Sequence, residues 1–299
     1  MRPELTHRTA ANLLEWSGTS RLRIVIDGLR DSAQSEETYW RNETIRCAEN
    51  IAGTDSRVEI EVFSKNIGFT NHCLRVQKLI FGSSDSGIML EEDNNISTFG
   101  LNFLKENIAT AIGPAVFTSY SSSNHAGNTL DSKFRRTLFG QLWGNAIHES
   151  AHYALEKAWR EKTVDAQMIN RRIQDLIQPR NLNERDFASR TSKYWCRYFL
   201  NGLISPRHTD IALMYAIWDC NGTIGAPLRN LSEDLSYLDF RGMNQRNKPR
   251  VIGKHELSPK VTKLEGFCLQ CEIIDSRVTY GILKSKLNSF KYRLSKLKE

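Results

Sequence analysis

The sequence predicts an α/β fold, a mainly parallel sheet flanked by helices, with a C-terminal helical extension. Three observations predict it. Over residues 2–108, apolar runs of strand type alternate with stretches of helical period, the pattern of a parallel sheet covered on both faces. Three of these runs end on polar turns, at Asp27-Gly28, at Asn66-Ile67-Gly68 and at Glu91-Glu92-Asp93. The chain is also long enough for a sizeable core, with 299 residues, 40% hydrophobic and 25% charged.

Taken in order, residues 2–18 read as a helix closed near Gly18. Residues 21–28, "RLRIVIDG", read as a buried strand. At 35–51, Ser35 followed by acids and then an apolar helical period predicts a capped helix. Residues 57–71 alternate as a strand running into a turn, and 73–82 form a short helix. "SGIMLEEDN" (86–94) is a strand with acids at its carboxyl end, and 98–108 is another helix. Further on, 138–162 read as helical throughout, 163–200 as helix broken around Pro179, and 208–222 as a helix that stops at Asn221-Gly222 before a short strand. Residues 244–260 are polar and loop-like.

Composition narrows the function. No run of about 18 apolar residues is present, which argues against a membrane span, and "MRPELTHRTAANLLEW" has no apolar core of a signal peptide; a cytoplasmic protein is expected. Six scattered cysteines do not make a disulfide framework. "CLQC" (268–271) is one Cys-x-x-Cys without the second pair that zinc needs. The net charge of +7 favours acidic partners such as nucleotides.

In parallel sheets, ligands sit at the carboxyl ends of strands, so the three polar turns converge on one rim. Three adjacent carboxylates there suit Mg²⁺ or Mn²⁺, which take oxygen ligands and substrate phosphates. A solvated acidic turn is the plainer reading of the same residues.

"GIMLEEDNNIS" followed by "FLKENI" resembles the metal-binding signature of GT-A fold glycosyltransferases, a Rossmann-like α/β class. The nearest patterns are bacterial family-2-like sugar transferases and the Golgi N-acetylglucosaminyltransferase that starts complex glycans. "RPELTHRTAANLLEWSGTSRLRIVIDG", "VFSKNIGF", "LWGNAIHESAHYALEKAW" and "RHTDIALMYAIWDCNGTIGAPLRNLSEDL" resemble, in order, the family's opening helix and strand, its Asn-x-Gly turn, its acceptor-side segment and its catalytic-base segment. The resemblance implies a transferase domain over 1–245, with a nucleotide-sugar half at 1–110 and an acceptor half at 111–245, and an extension at 246–299. It implies Asp93 as the metal ligand, for Mn²⁺ or Mg²⁺, and Glu91 and Glu92 as sugar, ribose or water-mediated supports. Asp27 would read the base, Arg2 would lie near base or diphosphate, and Asn66 and Gly68, with Gly28, would shape the nucleotide pocket. His72 and Arg75 would contact phosphate. Asp210 would be the general base of an inverting transfer from a UDP-sugar to a glycan or lipid-linked acceptor, in surface glycan synthesis. Asp210 also stands where a helix N-cap would. In that family a strand precedes the opening turn; here Met1 stands where the turn's Asn would be.

Other readings stay open. "HESAH" (148–152) matches His-Glu-x-x-His, which on a helix brings two His to one face around zinc with the Glu as base, here His148, His152 and Glu149. A GT-A-like domain could also be inactive and bind glycans or partners. In the tail, Leu283, Leu287, Phe290, Leu294 and Leu297 form an apolar stripe amid Lys and Arg, suited to the inner face of an anionic membrane or to a protein surface. A transferase acting on nucleic acid is a further option, but no aromatic residues interleave a basic patch.

Overall fold

The computed structural model describes residues 2–120, 134–137, 144–177, 179, 182–204, 209–227 and 231–234. Residues 246–299, with the basic stripe and the "CLQC" pair, lie outside them. The first elements follow the expected order: α1 (Pro3–Glu15), β1 (Leu22–Ile26), α2 (Ser35–Thr54), β2 (Val58–Val62), α3 (Phe69–Phe81), β3 (Ser86–Met89), β4 (Asn94–Ile96) and α4 (Thr98–Ile108). Pro3 stands in the first turn of α1, where its missing N–H costs nothing. Glu36 and Glu37 place negative charge at the amino end of α2. Helix α3 begins four residues before the predicted start at Cys73: Gly68, at φ 79°, turns the chain into it. Its first turn, "FTNH", carries no helical apolar period, so the sequence pattern did not reveal it.

Then come β5 (Ala115–Thr118), β6 (Arg135–Arg136), β7 (Asn145–His148), α5 (Glu149–Glu161), α6 (Ala166–Ile177), α7 (Leu182–Ile204), α8 (Thr209–Asp219), β8 (Thr223–Ala226) and β9 (Ser232–Asp234). Two expectations are corrected here. The stretch read as continuous helix over 138–162 contains β7. The sheet is mixed rather than mainly parallel: β1 runs parallel to β2 and β5 to β8, but β7 lies antiparallel between β3 and β5, and β6 is antiparallel to β8. Asn145, Ala146 and Ile147 are all buried, so β7 has no alternation to mark it as a strand.

The strands form a five-stranded sheet ordered β3-β7-β5-β8-β6 and two two-stranded pairs, β1-β2 and β4-β9. Side-chain alternation along β5 and β7 shows how the larger sheet is covered. Val116 and Ile147 belong to the core under α5–α8, with Leu155, Trp195, Phe199 and Trp218. Phe117 and Ala146 point to the other core, with Leu101 and Leu104 of α4 and Trp16. A small third core, around Ala10, Ile51 and Val58, joins α1 and α2 to the β1-β2 pair.

Among the described residues no hydrogen-bond ladder links β1 to β3. Helices bridge them instead. On α3, the Leu79 carbonyl accepts a hydrogen bond from Arg23 of β1 at 3.2 Å, and Ile80 packs so close to Gly87 of β3 that a Cβ there would lie 2.4 Å from Ile80 Cγ2. From α1, Thr9 donates to the Glu92 carbonyl at 2.8 Å and Asn12 to that of Ile96 at 2.8 Å.

Candidate functional site

The site grows from the strand ends. After β1, Asp27 Oδ1 accepts the backbone N–H of Gly28 at 2.8 Å and of Ile67 at 3.3 Å, while its Oδ2 accepts from Asn66 Nδ2 at 3.0 Å. Asn66 also donates to the Gly28 carbonyl and accepts from the Gly68 N–H. The loops after β1 and β2 are thus sewn together. Gly28 is required here sterically, since a Cβ would lie 2.1 Å from the Lys65 carbonyl carbon. Arg41 of α2 completes the seam by donating to the carbonyls of Asp27 and Phe63; it sits mid-helix with no local signal, and the sequence reading missed it.

Between β3 and β4 the acids form a turn, closed by the Asn94 N–H on the Glu91 carbonyl at 3.0 Å. Arg2, immediately before α1, lies against that turn. Its Nε and Nη2 donate to Glu92 Oε1 at 3.0 and 2.8 Å, and Nη2 donates to Asp93 Oδ2 at 2.8 Å. The Arg2 side chain is 8% exposed and that of Asp93 11%. Burial by itself would lower the guanidinium's pKa, but Glu92 and then Asp93 more than reverse this and hold it charged. Burial likewise opposes the Glu92 carboxylate, yet Arg2 brings its pKa below the ordinary value.

Glu91 differs from its neighbours. It is open to solvent, yet desolvation by the protein packed around it, joined by the negative charges of Asp93, Glu92 and Asp210, pushes its carboxyl up to about 7. Glu91 is thus an accessible carboxyl whose charged form is disfavoured by its surroundings, as at many functional sites. Asp210, exposed in the first turn of α8, therefore acts on the same carboxyl as the acidic turn. Beneath them Cys73 bonds to Thr209 and is pushed up to about 12 by burial, with Glu91 adding to it. Tyr198 of α7 is raised by burial and by Asp210. Neither Cys73 nor Tyr198 stood out in the sequence, where a lone Cys and an aromatic in a long helix carry no motif. His72 lies where both Asp27 and Glu92 act on it, but burial dominates and favours the neutral ring; its buried Nδ1 has no hydrogen-bond partner.

Nine of the predicted positions thus gather after β1, β2 and β3: Asp27, Gly28, Asn66 and Gly68 form one hydrogen-bonded group, Arg2, Glu92 and Asp93 another beside Glu91, and His72 is acted on by the charges of both, while Asp210 of α8 acts on Glu91. Arg75 does not join them. It points along the exposed face of α3 with Glu61 of β2 3.6 Å away.

The residues do not fit a divalent metal. Arg2 already holds Glu92 and Asp93, and among the described residues no three His, Cys, Asp or Glu side chains are grouped to hold a metal ion. The His-Glu-x-x-His geometry is not formed either. His148 caps α5 from outside the helix, its Nδ1 accepting the Ser150 N–H at 3.2 Å. His152 is buried, with Nδ1 2.7 Å from Gln77 Oε1 and Nε2 3.6 Å from Glu156. Both histidines have structural work that separates them.

No helix among the described residues is long and apolar enough to cross a membrane. In comparisons with known proteins, no family model matches the chain and no curated protein matches it.

Proposed function

We propose that the chain is a GT-A-like glycosyltransferase that moves a sugar from a nucleotide-sugar donor to an acceptor hydroxyl. The observation that carries this reading is the convergence of five separate segments, at residues 2, 27–28, 66–72, 91–93 and 210, around the turns after β1, β2 and β3. The turns that follow β1, β2 and β3, which stand in two separate sheets, meet there, and junctions lined by a few convergent polar groups are where small ligands bind. The seam of Asp27 and Asn66 supplies polar groups for a base or ribose, and Glu91 and Asp210 supply carboxylates at its far end.

In the reaction, an acceptor oxygen forms a bond to the anomeric carbon as the bond from that carbon to the diphosphate oxygen breaks. The electron pair leaves with the diphosphate, and the acceptor's proton passes to Asp210 as general base. A base on the face opposite the leaving group inverts the centre. The divalent ion expected from the family resemblance has no step here, because the carboxylates that would bind it are engaged by Arg2.

The reading is tested by a thermal-shift screen of UDP-, GDP- and CMP-sugars. Stabilisation by one class is expected, with UDP-sugars favoured, and absence of stabilisation by every class would remove the proposal. With the donor identified, Asp210→Asn is expected to keep donor binding and to lose turnover by roughly 10²–10⁴-fold, the usual worth of a general base. Unchanged turnover would return Asp210 to the role of a helix N-terminal residue.

A further inference from the structure

We propose that Arg2 is the resident cation of this site, taking the place on Glu92 and Asp93 that a divalent metal would take, so that the site receives an oxyanion with a guanidinium. The proposal deepens the transferase reading and rests on it for the kind of ligand, while the exclusion of metal stands on the geometry alone.

Three observations carry it. First, Arg2 engages both carboxylates through Nε and Nη2, with all three bonds between 2.8 and 3.0 Å. Planar, charged and unable to give up its proton, a guanidinium suits this two-carboxylate grip. Second, the arrangement is buried and anchored. Arg2 is 92% buried as a side chain, its carbonyl accepts from the Thr6 N–H and hydroxyl, and the backbone carbonyl of Glu92 is tied to Thr9. A metal arriving at Asp93 would have to leave this guanidinium buried without its counter-charge, a strongly unfavourable exchange. Third, Arg2 Nη1 is buried and has no hydrogen-bond partner. A charged donor left over on the guanidinium that holds the acidic turn fits an oxygen of a phosphate or diphosphate.

The test measures Mn²⁺ uptake by the full chain, without any sugar, from the electron paramagnetic resonance of free Mn²⁺. The wild-type chain is expected to take up none stoichiometrically. Arg2→Gln is expected to gain about one equivalent, and Arg2→Gln combined with Asp93→Asn to lose it again. One equivalent on the wild-type chain, or no uptake by a folded Arg2→Gln variant, overturns the proposal. Should Arg2→Gln fail to fold, UDP titrated into the wild-type chain with EDTA and with Mn²⁺ decides the matter. Affinities within about threefold support a guanidinium site, and a loss in EDTA of about tenfold or more, near 1.4 kcal/mol, overturns it. UDP binding under neither condition counts against the nucleotide-sugar reading, while Mn²⁺ uptake by the wild-type chain still decides the identity of the cation.

Discussion

At the scale of single residues, the acidic turn divides its labour. Arg2 offsets one of the two charges of Glu92 and Asp93, and the negative charge that remains acts on Glu91. A carboxyl raised from 4.5 to about 7 binds a proton more tightly in the folded than in the unfolded chain. Between those two values the folded state holds a proton that the unfolded state has released, so stability falls as pH rises through the window and the loss is complete above it. Glu91→Gln removes this dependence. Its melting temperature relative to wild type is expected to rise from about pH 5 to about pH 8; a constant difference across that range would show that the surrounding acids do not act on Glu91. The turn itself was legible in sequence, because three acids after an apolar run are conspicuous. Its partner was not: Arg2 lies ninety residues from Glu92, and a contact at that separation leaves no local periodicity. Only the family resemblance put Arg2 near the site, and it assigned Arg2 to the base or diphosphate rather than to the acids.

At the scale of elements, legibility followed local chemistry. Helix α4 was read from its sequence at 98–108, and the structure adds its cap: Ser97 Oγ accepts the Gly100 N–H at 3.1 Å. Ser97 also donates to the Leu231 carbonyl at 3.3 Å, which ties the start of α4 to the β4-β9 pair. Ser97→Ala is expected to destabilise the protein by about 1 kcal/mol, read as a lower urea midpoint with an unchanged slope; no change would mean the cap is replaced by water. Strand β7 was not readable. Its residues are buried on both faces, and they run directly into an amphipathic helix whose period drowns a four-residue strand. The same junction explains the failed His-Glu-x-x-His motif. The pattern assumes that both histidines share a helix, but the helix starts one residue after His148, so the spacing of four no longer means one face.

At the scale of the whole molecule, the candidate site straddles two sheets of unequal support. Asp93 and Glu91 follow a strand of the five-stranded sheet, which has a core on each face. Asp27 and Asn66 follow the β1-β2 pair, which is joined to the rest by helices and a small core rather than by a ladder. Two-stranded units are marginal by themselves, so the molecule is expected to open in steps. Amide hydrogen exchange should be faster by at least about tenfold over β1 and β2 than over β5 and β7, because local units open below the global free energy; equal protection would show one cooperative unit. A ligand that reaches from Asp27 to the acidic turn would then do more than occupy a cleft. It would act as a rivet across the weaker joint, and its binding would be read most sensitively far from any reacting atom, as slowed exchange in the backbone of Leu22–Ile26.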